Sequence, residues 1–212
     1  MKLLNTWRQW PPKRKFLTSA AAMAALYAAA IIGDSASRDI DLPLVPSISL
    51  GGKELPPLES HGDPLSIDEI RIELLNAFPG IKPHDIQLAD LQYQPVEYED
   101  FLRLADWVGD FYADNPQLHY TAEGYDCDNF ARTFVVIADL ASPERFRGQL
   151  AMMRLYVEQR NAWGGVPAST GTHALIAFRH GDGWSLYEPQ SREVVRVADY
   201  PNQPHVRRVI GD

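Results

Sequence analysis

Gly124-Tyr125-Asp126-Cys127-Asp128-Asn129-Phe130-Ala131 holds the only cysteine of this 212-residue chain and sets it where a helix is expected to begin. Asp126 is a suitable N-cap, and Phe130, Ala131, Phe134, Val135 and Ala138 continue as one apolar face until Ser142-Pro143. Cys127 then falls in the first turn. There the positive end of the helix dipole and the unshared backbone N–H groups favour a thiolate. Asp126 and Asp128 oppose this, because carboxylate charge on either side disfavours ionising the thiol unless those side chains cap the helix or turn away. The sulfur therefore needs a base.

Working outward from this helix, two others come before it. Ser66 and Glu69 form a capping box ahead of Ile67, Ile70, Leu74, Leu75 and Phe78, and Pro79-Gly80 stops that run. A second helix is expected over about 98–113, with Phe101, Leu104, Ala105, Val108, Phe111 and Tyr112 on one face and Trp107 at its edge. After the cysteine helix come strands over 150–158, 173–178, 184–188 and 193–197, with a glycine-rich loop over 161–172. Helices first and an antiparallel sheet second is an α+β layout.

The base is sought among six histidines. His173 opens a strand directly after the glycine-rich loop, whereas His61, His84, His180 and His205 lie in turn-like or tail stretches; His119 remains a rival. A neutral imidazole beside the thiol can take its proton and leave a stronger nucleophile. The strands holding His173 and Glu188 are joined by Arg179-His180-Gly181-Asp182-Gly183, a hairpin signal. An even-numbered loop puts His173 and Glu188 on one face, opposite or diagonal, since side chains alternate with period two. Glu188 can then hold the imidazole in the productive tautomer, with Gln190 as reserve on the same face. An odd loop would separate them.

Each residue also has a plainer reading. A lone helical cysteine is commonly a small buried hydrophobe, a strand histidine a satisfied polar group, and Glu-Pro a turn. What lifts the set is the joint order: cysteine on a helix start, histidine on a strand start, acid on the next strand.

That order resembles a known family. Gly124-x-x-Cys127-x-x-Phe130-Ala131, then His173-Ala174, then Trp184 and Glu188-Pro189, is similar to the transglutaminase-like cysteine hydrolases of the papain-like superfamily, over about residues 98–190. Two departures stand out, Glu188 in place of the usual Asp and Leu175 in place of the usual Trp after His-Ala. The resemblance implies a papain-like, transglutaminase-like α+β fold, with Cys127 as nucleophile, His173 as general base and acid, and Glu188 as orienter. It also implies a thioester acyl-enzyme formed on a peptide or protein substrate, as in a cysteine protease or amidase. The Cys127 N–H is one expected oxyanion donor, with Gln117, His119 or Tyr125 as the second. Trp163 in the glycine-rich loop is a candidate wall of the substrate cleft. Two alternatives stay open: a non-catalytic binding protein that keeps the fold, and acyl transfer to an amine in place of water.

Composition bounds the rest. Residues 1–33 carry Lys2, Arg8, Lys13, Arg14 and Lys15 and no acid, which leaves 15 basic against 28 acidic residues in the body. An acidic body disfavours non-specific nucleic-acid binding, which rests on neutralising phosphates. One cysteine and scattered histidines lack zinc spacing, and no metal or cofactor is expected. Residues 16–32 are seventeen uncharged, mostly apolar residues after Lys13-Arg14-Lys15. That is the layout of a membrane anchor or a signal, with the body exported, as on the periplasmic side of a bacterial inner membrane. Ser35-Ala36-Ser37 supplies small residues for cleavage, and a buried alanine-rich helix is the plain alternative. Residues 34–64, broken by prolines and glycines, form a linker or an arm along the domain, and 65–212 the catalytic domain.

Overall fold

The computed structural model describes residues 54–115, 126–143, 146, 148–169 and 171–211. Among them are three α-helices, α1 (Ile67–Ala77), α2 (Tyr98–Asp114) and α3 (Cys127–Ala141). The strands are β1 (Leu65–Ser66), β2 (Ile86–Leu88), β3 (Gln92–Tyr93), β4 (Met152–Glu158), β5 (Thr172–His180), β6 (Gly183–Glu188), β7 (Glu193–Arg196) and β8 (Val206–Gly211). β1 and β3 pair alone, and the others form one sheet in the order β2-β8-β4-β5-β6-β7. Only the edge pair β2 and β8 is parallel. The chain is α+β as expected, although β1, β2, β3 and β8 were not anticipated.

Local chemistry sets the helix starts. The Ser66 hydroxyl accepts from the Glu69 N–H while the Glu69 carboxylate takes the Ser66 N–H at 2.8 Å, so α1 opens on the expected capping box. α3 opens on Asp126, whose carboxylate accepts from the Asn129 N–H, and ends at Ala141 before Ser142-Pro143. α2 begins without a side-chain cap and is held by its buried face: Phe101, Leu104, Ala105, Val108 and Tyr112.

Strand alternation divides the core in two. Met152 on β4, Ala174, Ile176 and Phe178 on β5 and Tyr187 on β6 face α2 and α3; Phe101 stacks on Phe178 at 3.6 Å between ring centroids. Met153, Leu155 and Val157 on β4, Leu175 and Ala177 on β5 and Trp184 and Leu186 on β6 face the other way, with Ile70, Leu74 and Phe78 of α1. Residues buried on both sides make β4, β5 and β6 the least exposed strands, as expected of a sheet covered on two faces.

Outside the catalytic region one expectation is narrowed and one is corrected. Of the expected linker, 54–64 is an arm on the domain: Leu58 is fully buried, its N–H bonds the Ala141 carbonyl, and the Glu59 N–H bonds Asp100 at 3.0 Å. The expected transmembrane helix is corrected: among the described residues no helix is long and apolar enough to cross a membrane. α2, at 17 residues, carries Glu99, Asp100, Arg103, Asp106, Asp110 and Asp114, which a bilayer interior would exclude. Residues 16–32, on which that expectation fell, lie outside the described residues, as do 34–53.

Candidate active site

Three elements bring the predicted residues together. β5 and β6 are joined by the two-residue loop Gly181-Asp182, with His180 paired to Gly183 and Ile176 to Tyr187. The loop is even, so Glu188 and His173 share a face and stand diagonally, as the sequence reading required. Glu188 is fully buried and His173 is 6% exposed. His173 Nε2 hydrogen-bonds Glu188 Oε2, and Glu188 Oε1 accepts the Gln190 N–H at 2.9 Å. Both carboxylate oxygens are thereby engaged, which a buried acid requires.

Cys127, partly exposed at the first position of α3, completes the line. Burial opposes charging the His173 ring, yet hydrogen bonding to Cys127 and Glu188, with the negative charge of both, outweighs it and carries His173 from its ordinary 6.5 up to about 9. Nε2 is taken by Glu188, so Nδ1 is the nitrogen left for the sulfur. Such a row can pass the thiol proton to the ring and keep the resulting imidazolium. His180 shows the contrast: it donates or accepts at Ser185 Oγ, 2.9 Å away, and burial holds it below its ordinary value.

The acids flanking the cysteine are both accounted for. Asp126 is spent on the helix cap, accepting from the Asn129 N–H at 3.4 Å and from its side-chain amide at 3.3 Å. Asp128 turns to Tyr156, whose hydroxyl bonds Oδ1, and to Arg132, 2.9 Å from Oδ2. Each carboxylate is thus engaged by donors of its own.

The remaining expectations divide. Gln190 contributes its backbone N–H, while its side chain is exposed; it is no substitute for Glu188. Trp163 is half-buried with its ring edge-on to Tyr200, centroids 5.1 Å apart. Gln117, His119 and Tyr125 lie outside the described residues. Among the described residues no cluster of three or more His, Cys, Asp or Glu is arranged to hold a metal ion.

One contact escaped the sequence reading. Trp163 and Val166 bond each other across a tight turn at Gly164-Gly165, both with positive φ (64° and 70°), and buried Gln159 ties the turn down by donating to both carbonyls. A Cβ at Gly164 would lie 3.0 Å from Glu188 Cγ and 3.2 Å from its Cβ. Glycine is needed twice there, for the left-handed backbone and for the closeness to the orienting acid. Gly164→Ala is expected to cost about 1–2 kcal/mol in thermal or urea unfolding and to slow alkylation of Cys127; unchanged stability and alkylation would show that the contact is immaterial. The glycine pair in the loop was visible in sequence, but its partner across the fold was not.

No family model and no curated protein matches the chain. A solved structure described as "PSL1a-E64 complex" is similar with a TM-score of 0.45 and 16% identity, covering 66% of this chain and 48% of that one. The chain thus spans about half that structure's length, and a likeness at this level carries no argument. The names protease and transglutaminase, which the sequence resemblance suggested, gain no support from these comparisons.

Proposed function

We propose that this protein is a cysteine hydrolase that breaks an acyl bond, an amide or ester, through a thioester on Cys127. The observation that supports this most is His173 hydrogen-bonded to a fully buried acid whose second oxygen is already satisfied, with Cys127 beside the ring at a helix start. A purely structural histidine has no need of a buried carboxylate behind it, since burying that charge is costly. The papain-like, transglutaminase-like arrangement is the fold reading that accompanies the proposal: a helix bearing the cysteine, laid on an antiparallel sheet whose strands supply histidine and acid.

The chemistry follows from the groups in place. At neutral pH the thiol proton already sits on His173 Nδ1, and the Cys127 thiolate attacks the acyl carbon. The Cys127 N–H, at the open end of α3, donates to the oxyanion. His173 then protonates the leaving amine or alcohol, and the acyl group stays on sulfur as a thioester. Water, deprotonated by His173, attacks the thioester and frees the acid and the thiol. Glu188 holds the ring throughout. Nothing in the geometry favours an amine over water as the final acceptor.

The test separates two demands on His173. Alkylation by iodoacetamide needs only the thiolate, whereas amide turnover also needs a protonated ring to release the amine. The ring is held charged up to about pH 9, so turnover of an amide substrate is expected to fall as pH rises through about 9 while alkylation of Cys127 keeps its rate. Mass spectrometry locates the label and a chromogenic amide series reports turnover. Cys127 reacting no faster than free cysteine at about pH 6, where free cysteine is almost all thiol, would overturn the proposal.

A further inference from the structure

We infer that Asp128, Tyr156, Arg154 and Arg132 form a positioning unit for Cys127: they fasten the first turn of α3 to β4 and cancel the carboxylate charge that the chain places next to the nucleophile. The inference rests on Cys127 being the nucleophile.

Asp128 follows Cys127 directly and lies in the first turn of α3, where the helix dipole welcomes an acid. The same charge works against a thiolate one residue away. Three groups converge on it: the Tyr156 hydroxyl donates to Oδ1, Arg132 from the next turn lies 2.9 Å from Oδ2, and Arg154 Nη1 lies 3.7 Å from Oδ1. Arg154 Nη1 also donates to the Tyr156 oxygen at 3.1 Å, so the two β4 residues act together. Burial followed by the bond to Asp128 holds the Tyr156 phenol above its ordinary value, so it stays a donor across the pH range of the alkylation experiment.

Arg154 carries the argument. It is 8% exposed, on the strand face turned to α2 and α3, paired with Ile176 on β5 and Ile210 on β8. An apolar side chain would fill that place without the cost of dehydrating a guanidinium, so what distinguishes arginine there is its charge and its donors. Its charge lies 3.7 Å from the acid beside Cys127, and Nη1 donates to the tyrosine oxygen that in turn bonds that acid. The charged or titratable groups that these contacts link to Cys127 or to its sequence neighbours are Asp126, Asp128 and Arg132 from α3, Arg154 and Tyr156 from β4, His173 from β5 and Glu188 from β6. Asp126 is committed to the helix cap and Glu188 to His173, so Asp128 is the acid whose field on the thiol depends on the arginines.

The experiment is the pH profile of iodoacetamide alkylation on the full chain, for wild type, Arg154→Gln, Tyr156→Phe, Asp128→Asn and the Arg154→Gln/Asp128→Asn double variant. Arg154→Gln is expected to move the half-maximal pH upward by about one unit, roughly tenfold slower alkylation on the acid side. Tyr156→Phe moves it in the same direction. The double variant is expected to return to within about twofold of Asp128→Asn, because with the acid gone there is no charge left to cancel. Disturbed packing alone would leave the double variant as slow as Arg154→Gln, and that result overturns the inference, as does a profile of Arg154→Gln that superimposes on wild type. Where Arg154→Gln does not fold, Tyr156→Phe with and without Asp128→Asn makes the same decision. A wild-type Cys127 with the reactivity of free cysteine removes the nucleophile and this unit's role together, an outcome distinct from either.

Discussion

Cys127→Ala is expected to lose all measurable turnover, about 10⁴-fold or more, while unfolding at nearly the wild-type temperature. Size and burial separate the two effects. The residue is partly exposed at the open end of α3 and its removal takes one sulfur from the margin of the core, so no large cavity follows. The Asp126 cap and the buried Phe130, Ala131 and Phe134 hold α3 without it. Nothing in the chain replaces the sulfur, since there is no second cysteine. Cys127→Ser, with a hydroxyl that His173 activates far less readily, is expected to be as inactive. Turnover surviving in either variant, measured with an ester and an amide substrate, would place the chemistry elsewhere.

Glu188→Gln is expected to be almost as damaging, about 10³-fold, for a reason that lies in Gln190. In the native site Oε1 accepts the Gln190 N–H and Oε2 faces His173 Nε2. A glutamine at 188 must offer its carbonyl oxygen to that same N–H, because its amide nitrogen cannot accept. The NH₂ group then faces Nε2, which must become an acceptor, and the ring proton moves to Nδ1. Nδ1 is the atom meant to take the thiol proton, so the base is blocked by its own tautomer.

Stability against pH gives a second, independent reading of the same variant. His173 is raised from 6.5 to about 9 in the folded protein, so the folded form holds that proton more tightly than the unfolded chain. The resulting stabilisation is fully present below about pH 6.5 and is lost as pH rises through about 9. With the carboxylate charge gone this slope should flatten. Urea midpoints at pH 6 and pH 9.5 test it: the wild type should lose more stability across that interval than Glu188→Gln, and parallel curves would deny Glu188 its hold on the ring.

The site was legible in the sequence because it depends on local signals. Asp126 before an apolar period marks the helix start, and alternation across a short hairpin fixes which side Glu188 takes relative to His173. What could not be read was whatever depends on pairing across the fold. The contact between Gly164 and Glu188 spans a loop and a hairpin, and nothing local announces it. Arg154 in the apolar strand Leu150-Ala151-Met152-Met153-Arg154-Leu155 was an available clue, since a cation on a core face requires a partner.

β8 went unread for a mechanical reason. Val206 and Val209 both face the α1 side of the sheet although they are three apart, which breaks the period of two. The register shifts between Tyr156, which pairs with Arg208, and Val157, which pairs with Val206, so Arg207 is the extra residue of a bulge. A strand that interrupts its own alternation hides from a periodicity argument. Short β2 and β3, at three and two residues, offer too few positions to show a period at all.

The turn at Gly181-Asp182 also governs how this chain can vary in length. It lies at the far end of β5 from His173, seven residues and roughly 23 Å along the strand, and no atom of it takes part in the chemistry. Yet inserting or deleting a single residue there would roll β6 over and send Glu188 to the opposite side of the sheet, unless a bulge restored the alternation. Descendants of this sequence that keep the Cys127, His173 and Glu188 row are therefore free to change the length of that distant turn only in steps of two, or by one residue with a compensating bulge.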